Sequence, residues 1–389
     1  MSMYPPLGVD IGKGTLTVSP PGGPAESIPL VGAWHTELAR RLDPEGGTVV
    51  AFEPTGWHYA APLITVCELH HANMLQVEHA TSKKVRETRF GEQKNDVIDA
   101  QTLALIAEEV SHGVFYKGAH WLDPKRLRAA IQLRFVLRAY DRARSVKVRL
   151  DNRLQQLSYS IWPVLADRQG TYLRAVRAGS VTPAEVRDLL TRLEAGGKVE
   201  GYPTGNHIRH LRDLVRELPR GFNIEVEHIR ATIHETLAQY DAADARKDEL
   251  QKQVNTIIWS EPIAQVTNLW HTVPAAAAME IAAILAACNC SPGSYSENAL
   301  AAACRCTMIR EKSGKVVKTK RSDRGSKLAK TALHMWVMRL HQEAHRPNPI
   351  ADYADRLRSA GHKYPMQAAR NKLLAILRGI VVNQENCRW

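Results

Sequence analysis

Residues 94–100 are Lys94-Asn95-Asp96-Val97-Ile98-Asp99-Ala100, and they open a long segment with the apolar spacing of a helix. On such a helix, Asp96 and Asp99 stand three residues apart and project from one face. Neighbouring carboxylates repel each other, so a fold that pairs them usually supplies a cation or several hydrogen-bond donors. The simpler interpretation is that Asp96 caps the helix and Asp99 lies in its first turn, and this segment alone favours it.

Two further acids lie upstream, in segments that predict β-strands. The apolar stretch Leu7–Gly14 carries Asp10 in its middle, and the strand-like Thr15–Val18 follows it, so a hairpin is predicted. Residues 48–52 predict another strand, which ends at Glu53. A carboxylate inside an apolar strand is costly to bury unless it is paired or bound to a metal ion.

The N-terminal third alternates strands with helices. A helix is predicted over 57–69 and a strand over 73–77, and this alternation predicts an α/β layer. An RNase H-like fold places one acid inside its first strand, one at the end of a later strand and two on a following helix. It thereby gathers carboxylates around divalent cations. The sequence therefore predicts a metal site formed by Asp10, Glu53, Asp96 and Asp99.

The composition indicates a polyanionic partner. A chain of 389 residues is expected to form two or three domains. Its 52 Lys and Arg residues against 40 Asp and Glu residues give a net charge of +12, which favours nucleic acid over a small neutral substrate. The most apolar run, 273–288, carries Glu280 and is shorter than the ~20 residues of a membrane span. We expect a soluble, cytoplasmic protein without a membrane partner.

The cysteines are few, and no export signal accompanies them. They are Cys67, Cys288, Cys290, Cys304, Cys306 and Cys387. At this density we expect reduced thiols. The two Cys-x-Cys pairs could hold zinc, but this spacing is not the usual C-x-x-C. Cysteine alternating with apolar neighbours favours a strand with buried thiols.

A long helix is predicted over 123–162, with an apolar seam suited to a coiled coil. Its outer face is strongly basic, which favours a phosphate backbone over a merely solvated surface. The residues predicted to contact nucleic acid there are Arg126, Arg134, Arg138, Arg142, Lys147 and Arg149. A second seam over 229–257 either returns antiparallel to the first or pairs with a second protomer. Between them, residues 165–220 predict a helical insertion, with a capping box at Thr182-Pro183-Ala184-Glu185.

The last third carries a strongly basic stretch, 310–327, which is predicted to be a loop and contains Ser313 followed by Gly314. The ordinary interpretation is a turn in a phosphate-binding loop, and spacing alone favours it. The sharper interpretation is a nucleophile, because positive charge can stabilise a phosphodiester that a serine attacks. An Ala-rich helix is predicted after Pro274, and further helices over 327–344 and 367–382.

These residues resemble the DEDD insertion-sequence transposases, the insertion-sequence one-ten family. Three N-terminal motifs carry the resemblance: Val9-Asp10-Ile11-Gly12-Lys13, Phe52-Glu53-Pro54-Thr55-Gly56 and residues 94–100. The C-terminal similarity lies in Ser313-Gly314, Arg324-Gly325-Ser326-Lys327, Asn348-Pro349 and Lys372-Leu373-Leu374. The chain departs from the family where Ala275–Ala278 follow Pro274, because a glycine-containing turn is usual there. It also has Leu328-Ala329-Lys330 where a glycine is usual.

The resemblance implies a domain order and a set of site residues. A RuvC-like, RNase H-like domain would span 1–121. A coiled-coil linker with the 165–220 insertion would span 122–264, and a mainly helical transposase domain 265–389. Asp10, Glu53, Asp96 and Asp99 would hold Mg²⁺, and Ser313 would be the catalytic serine. The remaining residues expected to bind nucleic acid are Lys94, Lys315, Lys318, Lys320, Arg321, Arg324 and Lys327.

The activity implied is excision and integration of an insertion sequence in the nucleoid of a prokaryotic cell, through a phosphoserine intermediate. A structured noncoding bridge RNA would guide the enzyme by pairing with target and donor DNA. The protein would act as a tetramer assembled from dimers, in which the acids of one subunit complete the serine site of another. One alternative is a RuvC-type, metal-dependent Holliday-junction endonuclease in which water attacks and Ser313 only binds phosphate. A nucleic-acid scaffold with structural acids is the non-enzymatic alternative.

Overall fold

The computed structural model describes residues 4–53, 57–161, 171–198, 208–209, 212–213, 216, 227–313, 316–321, 324–342 and 348–387. The chain forms two compact units, one made of Met1–Leu137 with Val254–Trp389 and the other of Arg138–Gln253. The division into three domains at 121 and 264 stays a prediction. Within the described ranges, no helix combines the length and apolar character needed to cross a membrane.

A mixed six-stranded sheet forms the N-terminal part of the first unit. Its strands are β1 (Leu7–Ile11), β2 (Thr15–Ser19), β3 (Glu26–Pro29), β4 (Val49–Phe52), β5 (Asn73–Val77) and β6 (Ala119–Leu122). They lie in the order β3-β2-β1-β4-β5-β6. Strands β1, β4 and β5 are parallel, whereas β2 and β6 run antiparallel to their neighbours. The predicted α/β layer is therefore confirmed.

Helices cover both faces of this sheet. They are α1 (Trp34–Ala39), α2 (Trp57–Leu69), α3 (His79–Phe90), α4 (Asp96–Ser111) and the start of α5 (Pro124–Ile161). On one face, Val9 and Phe52 pack with Leu63 of α2 and Leu127 of α5. On the other face, Ala51 and Leu75 pack with Leu103 of α4 and Val85 of α3. Strands that are buried on both faces are typical of parallel sheets.

The predicted hairpin, the strands at 48–52 and 73–77 and the helix over 57–69 are confirmed by β1–β2, β4, β5 and α2. Capping of α4 by Asp96 is wrong. The N-cap is Asn95, whose side chain accepts a 2.8 Å hydrogen bond from the Ile98 amide. Asp96 and Asp99 both lie in the first helical turn, where their negative charges interact favourably with the positive end of the helix dipole.

The C-terminal part of the first unit is mainly helical. Its elements are α9 (Ala264–His271), α10 (Ala278–Ala287), α11 (Glu297–Ala303), β7 (Met308–Ser313), β8 (Val316–Arg321), α12 (Lys327–Gln342), α13 (Pro349–Ser359) and α14 (Pro365–Asn383). Trp270 and Trp336 are fully buried in its core. Their indole N–H groups donate to the carbonyls of Leu377 and Pro274. The Ala-rich helix and both C-terminal helices are thereby confirmed.

Two expectations for this part are wrong. Residues 308–313 and 316–321 form two paired antiparallel strands, β7 and β8, and not a loop, since backbone pairing joins the two charged segments. The cysteines do not lie on a strand. Cys288 and Cys304 end helices α10 and α11, and Cys290 has a left-handed φ of +55°. All four thiols are nevertheless buried, as expected, and burial raises the pKa of Cys288 to about 12.

The second unit consists, in its described parts, of helices and short connecting segments. It contains α5 beyond residue 137, α6 (Thr171–Arg177), α7 (Pro183–Glu194) and most of α8 (Glu227–Ile258). The capping box forms between Thr182 and Glu185, as predicted. The two seams pack against each other within one chain, with Leu154 of α5 and Ile233 of α8 in a shared core. Lys147 and Asp244 pair across them at 2.7 Å. The intrachain alternative for the second seam is thus the one observed.

Candidate functional site

Helix α4 lies against β1 because β1 has a glycine at position 8. A Cβ atom on Gly8 would lie 2.0 Å from the Ala100 carbonyl oxygen and 2.2 Å from the Ala104 amide nitrogen. Side chains alternate along a strand, so Asp10 shares the face of Gly8. The glycine therefore brings the first turn of α4, with its two acids, next to Asp10.

Glu53 reaches the same place from the neighbouring strand. In the parallel pair β1–β4, Val9 lies opposite Phe52. Asp10 and Glu53 are the next residues, and they project from the face opposite to these two apolar side chains. The Glu53 side chain is only 12% exposed. Residues more than forty positions apart in the chain are thus adjacent at one end of the sheet.

The four predicted acids form one electrostatic cluster. The pKa of Asp10 is raised from its ordinary value of 3.8 to about 6, first by burial and then by the charges of Asp96, Asp99 and Glu53. Asp96 is exposed, and the other three are partly buried. Such a shift is typical of carboxylates gathered at a functional site, where like charges make ionisation costly.

Helix α3 supplies the partners of two of these acids. His79, Ser82 and Arg86 are spaced by three and four residues, so they share one face of the helix. The His79 Nδ1 atom lies 3.1 Å from one oxygen of Glu53, and the Ser82 hydroxyl donates to the other. Arg86 is 5% exposed, and its Nη1 atom donates to Asp99 at 2.5 Å. Sequence reasoning missed these three residues, although their helical spacing was a usable signal.

The donor set fits Mg²⁺ in its chemistry, because the ion prefers oxygen ligands and the four carboxylates repel one another without a cation. Within the described residues, no three His, Cys, Asp or Glu side chains form a ready metal site. Glu53 and Asp99 are instead bonded to α3. An ion held by all four acids would have to share at least one Glu53 oxygen with α3, because both oxygens of Glu53 contact that helix. The same finding covers the two Cys-x-Cys pairs, which form no zinc site with any described residue.

Ser313 is the last residue of β7, and its backbone pairs with Val316 of β8. Its side chain lies outside the described residues, as do those of Lys318, Lys320 and Arg321, and all of Gly314 and Lys315. Arg324 and Lys327 are exposed. The neighbouring Ser326 has a structural role, because its hydroxyl accepts a 3.2 Å hydrogen bond from the Ala329 amide at the start of α12.

The basic residues predicted on α5 divide into two groups. Three are engaged within the chain: Arg126 lies 3.8 Å from Asp123, Arg134 donates to Asn289, and Lys147 pairs with Asp244. The other three, Arg138, Arg142 and Arg149, are exposed. Their spacing places them within about 40° of one another around the helix axis. Lys94 is also exposed, two residues before α4.

We expect the arginine stripe, defined as Arg138, Arg142 and Arg149, to contact phosphates. Replacing all three with Glu should weaken binding of any DNA sequence and flatten the salt dependence of the affinity, since fewer counterions are released. Fluorescence anisotropy at several salt concentrations measures both quantities. A control protein carries the same charge change at Arg40, Arg144 and Arg358, which lie off the stripe. Equal affinity and salt slope in both variants would show that the stripe is only solvated.

No model of a known protein family matches this chain, and no curated protein matches it either. Inference about function therefore depends on the arrangement of its own residues.

Proposed function

We propose that the chain is a metal-dependent enzyme of the RNase H-like class that acts on DNA. The observation that carries this proposal is the acid cluster, in which burial and then the charges of Asp96, Asp99 and Glu53 raise the pKa of Asp10. The acids occupy a first strand, the end of a later strand and a following helix, which is the arrangement expected of that class. The basic net charge of +12 supports a nucleic-acid substrate.

Within this class, we propose a transposase that excises and integrates an insertion sequence under the guidance of a bridge RNA. The motif resemblance at both ends of the chain supports this choice. The arginine stripe supports it too, because an enzyme that holds both DNA and RNA needs phosphate contacts outside its acid cluster. Tetramers, with sites shared between subunits, belong to the same proposal.

Asp10, Glu53, Asp96 and Asp99 would hold Mg²⁺, which would neutralise the negative charge of the phosphodiester. Ser313 would attack the phosphorus atom through its Oγ atom. A new bond forms between the serine oxygen and phosphorus, and the bond from phosphorus to one deoxyribose oxygen breaks. The serine proton leaves to a base, and the released deoxyribose oxygen takes up a proton. Rejoining reverses these changes with a new DNA end, so the bond energy is kept in the phosphoserine link.

A RuvC-type junction endonuclease is the second candidate. The acid cluster favours it equally, since a water molecule could replace the serine as nucleophile. A nucleic-acid scaffold with structural acids would need neither the serine nor water as a nucleophile. The three functions differ in one product, because only the transposase forms a covalent bond between protein and DNA.

Trapping that bond is the test. Wild-type protein incubated with Mg²⁺, its copurified nucleic acid and DNA containing the element ends should give an adduct that survives denaturation. Ser313→Ala should give none, because the nucleophile is lost. Ser326→Ala is the matched control, since it removes a nearby helix cap at a cost of about 1 kcal/mol but should keep the adduct. An adduct in Ser313→Ala would refute the assignment of this serine.

The shared-site element of the proposal needs its own experiment. Asp96→Ala and Asp99→Ala should each abolish strand exchange while largely retaining nucleic-acid binding, because phosphate affinity resides in the basic residues. Mixing Asp96→Ala protein with Ser313→Ala protein should restore part of the activity if each subunit completes the other's site. A discrete RNA that copurifies with the protein would support guidance by RNA. Strand exchange in either acid variant at the wild-type rate would contradict the metal site.

A further inference from the structure

A cleft lies between α3 and the segment that follows α4. Its volume is about 770 Å³. This lies within the roughly 300–1,000 Å³ range of small-ligand sites. Thr81, Lys84 and Thr88 line it from α3, on the side of the helix opposite to the residues that hold the acids. Phe115 and Lys117 line it from the other wall. None of the four acids of the cluster lines this cleft.

The second wall is anchored on α3. The Glu78 amide donates to the Gly118 carbonyl at 2.7 Å, and the Thr81 hydroxyl donates to the Lys117 carbonyl at 2.8 Å. Gly118 has a φ of +102°, and a Cβ atom there would lie 2.5 Å from the Thr81 hydroxyl oxygen. A glycine is therefore required for this close approach. The wall is built into the fold.

Phe115 is 87% exposed on this anchored wall. An exposed aromatic ring gains no burial energy in the chain itself, although its neighbours are fixed by hydrogen bonds. The ring instead lines an open cleft. A flat ligand that stacks on it would bury apolar area at a small entropic cost, because the wall is already ordered.

The charges beside the ring favour a phosphate. In the part of the chain that the structure describes, neither Lys84 nor Lys117 makes an ion pair. The third cation, Arg89, is paired with Glu109 at 3.2 Å. Glu78 is the acid among the residues that line the cleft, and one of its oxygens lies 3.6 Å from His120. Two lysines thus remain to bind an anion next to an aromatic face.

We propose that this cleft binds one unpaired nucleotide of a single-stranded nucleic acid. Its base would stack on Phe115, and its phosphate would lie between Lys84 and Lys117. Single strands are favoured because the bases of a duplex are stacked on one another and cannot present a free face. This inference depends on the proposed nucleic-acid function and adds where an unpaired segment is held.

The test compares two changes of the same ring in the full-length protein. Phe115→Leu keeps an apolar side chain but has no aromatic face, whereas Phe115→Trp keeps the face. The probes are a short labelled single-stranded RNA, the same sequence as single-stranded DNA, and the corresponding duplex, all at one salt concentration. Phe115→Leu should lose about 10-fold in affinity for both single strands, and Phe115→Trp should lose little. Duplex binding should be unchanged in both.

Three control experiments test whether the loss of affinity belongs to this cleft. Trp259→Leu changes another exposed aromatic residue, 46% exposed, and should leave single-strand affinity unchanged. Lys84→Gln with Lys117→Gln should weaken single-strand binding, and a photo-cross-linkable RNA should attach within residues 112–118. Since Phe115 is so exposed, all its variants should unfold at the wild-type temperature.

The contrary outcomes distinguish failure of the cleft proposal from failure of the proposed function. Wild-type affinity for single strands in Phe115→Leu overturns the cleft proposal and leaves the proposed function intact. Equal losses in Phe115→Leu and Phe115→Trp, together with displacement of the strand by polyglutamate, would assign the cleft to an acidic protein partner and overturn it as well. If the wild-type protein binds neither single strands nor duplex, both proposals fail.

Discussion

Replacing Asp10 with Asn should abolish strand exchange and also make the protein more stable in the absence of divalent cations. Asp10 has a pKa of about 6 in the folded protein against an ordinary 3.8. A raised folded pKa means that the folded state binds the proton more tightly, so stability is highest below the unfolded pKa and falls as the pH rises towards 6. The penalty above that pH is at most about 3 kcal/mol, and solvent screening at this partly exposed site makes it smaller. The amide of the Asp10→Asn variant carries no charge and therefore avoids this penalty.

Urea unfolding between about pH 4 and 8, with and without Mg²⁺, measures this effect. Without Mg²⁺, the wild-type protein should lose stability between about pH 4 and 6, whereas Asp10→Asn should not. Added Mg²⁺ should stabilise the wild-type protein at neutral pH and the variant much less. Asp141→Asn, at an exposed position on α5, is the matched control and should follow the wild-type curve. If Asp10→Asn is less stable than wild type at neutral pH without Mg²⁺, the acids do not repel one another as described.

Replacing Gly8 with Ala should displace α4 or unfold the N-terminal α/β part. The added Cβ atom meets backbone atoms of α4 at 2.0 and 2.2 Å, and backbone cannot move aside as a flexible side chain can. We expect a loss of at least about 3 kcal/mol in the free energy of unfolding. Gly14→Ala is the matched control, because no heavy atom lies within 4 Å of its added Cβ.

The Gly8 variant also tests how the site is built. If Gly8→Ala still folds, α4 must have moved, and Asp96 and Asp99 with it. The pH dependence of stability that Asp10 contributes should then weaken, because two of the charges that raise its pKa are farther away. Wild-type stability together with unchanged pH dependence would show that the approach of α4 to β1 does not position the acids.

The acid cluster could be predicted because its members lie within or at the ends of elements with strong local patterns. Apolar runs defined β1, β4 and β5, and the element order placed their acids at one edge. The N-cap could not be located to the residue, because Asn95 and Asp96 are both good caps and periodicity cannot choose between them. The contact between Gly8 and α4 was equally invisible, since it joins segments about ninety positions apart.

Other features depend on contacts between separate segments of the chain. Helix α3 is polar, and its side chains bond to acids that are distant in the chain. His79 contacts Glu53, 26 positions away, and Arg86 donates to Asp99, 13 positions away. The β7–β8 hairpin joins two charged segments through backbone pairing. Asn289 and Arg305 adopt left-handed φ values that are uncommon without glycine, so the alternation of cysteines, which predicted a strand, could not reveal these turns.

Helix α3 touches both the acids and the cleft, and this has a thermodynamic consequence. One side holds Glu53 and Asp99, and the other carries Thr81 and Lys84. An ion bound by the acids and a nucleotide bound beside Lys84 would therefore both contact the same helix. If the two ligands favour the same position of the helix, each raises the affinity for the other by one common factor. Under the proposed function, the protein would then take up its ion most readily where a strand is already bound.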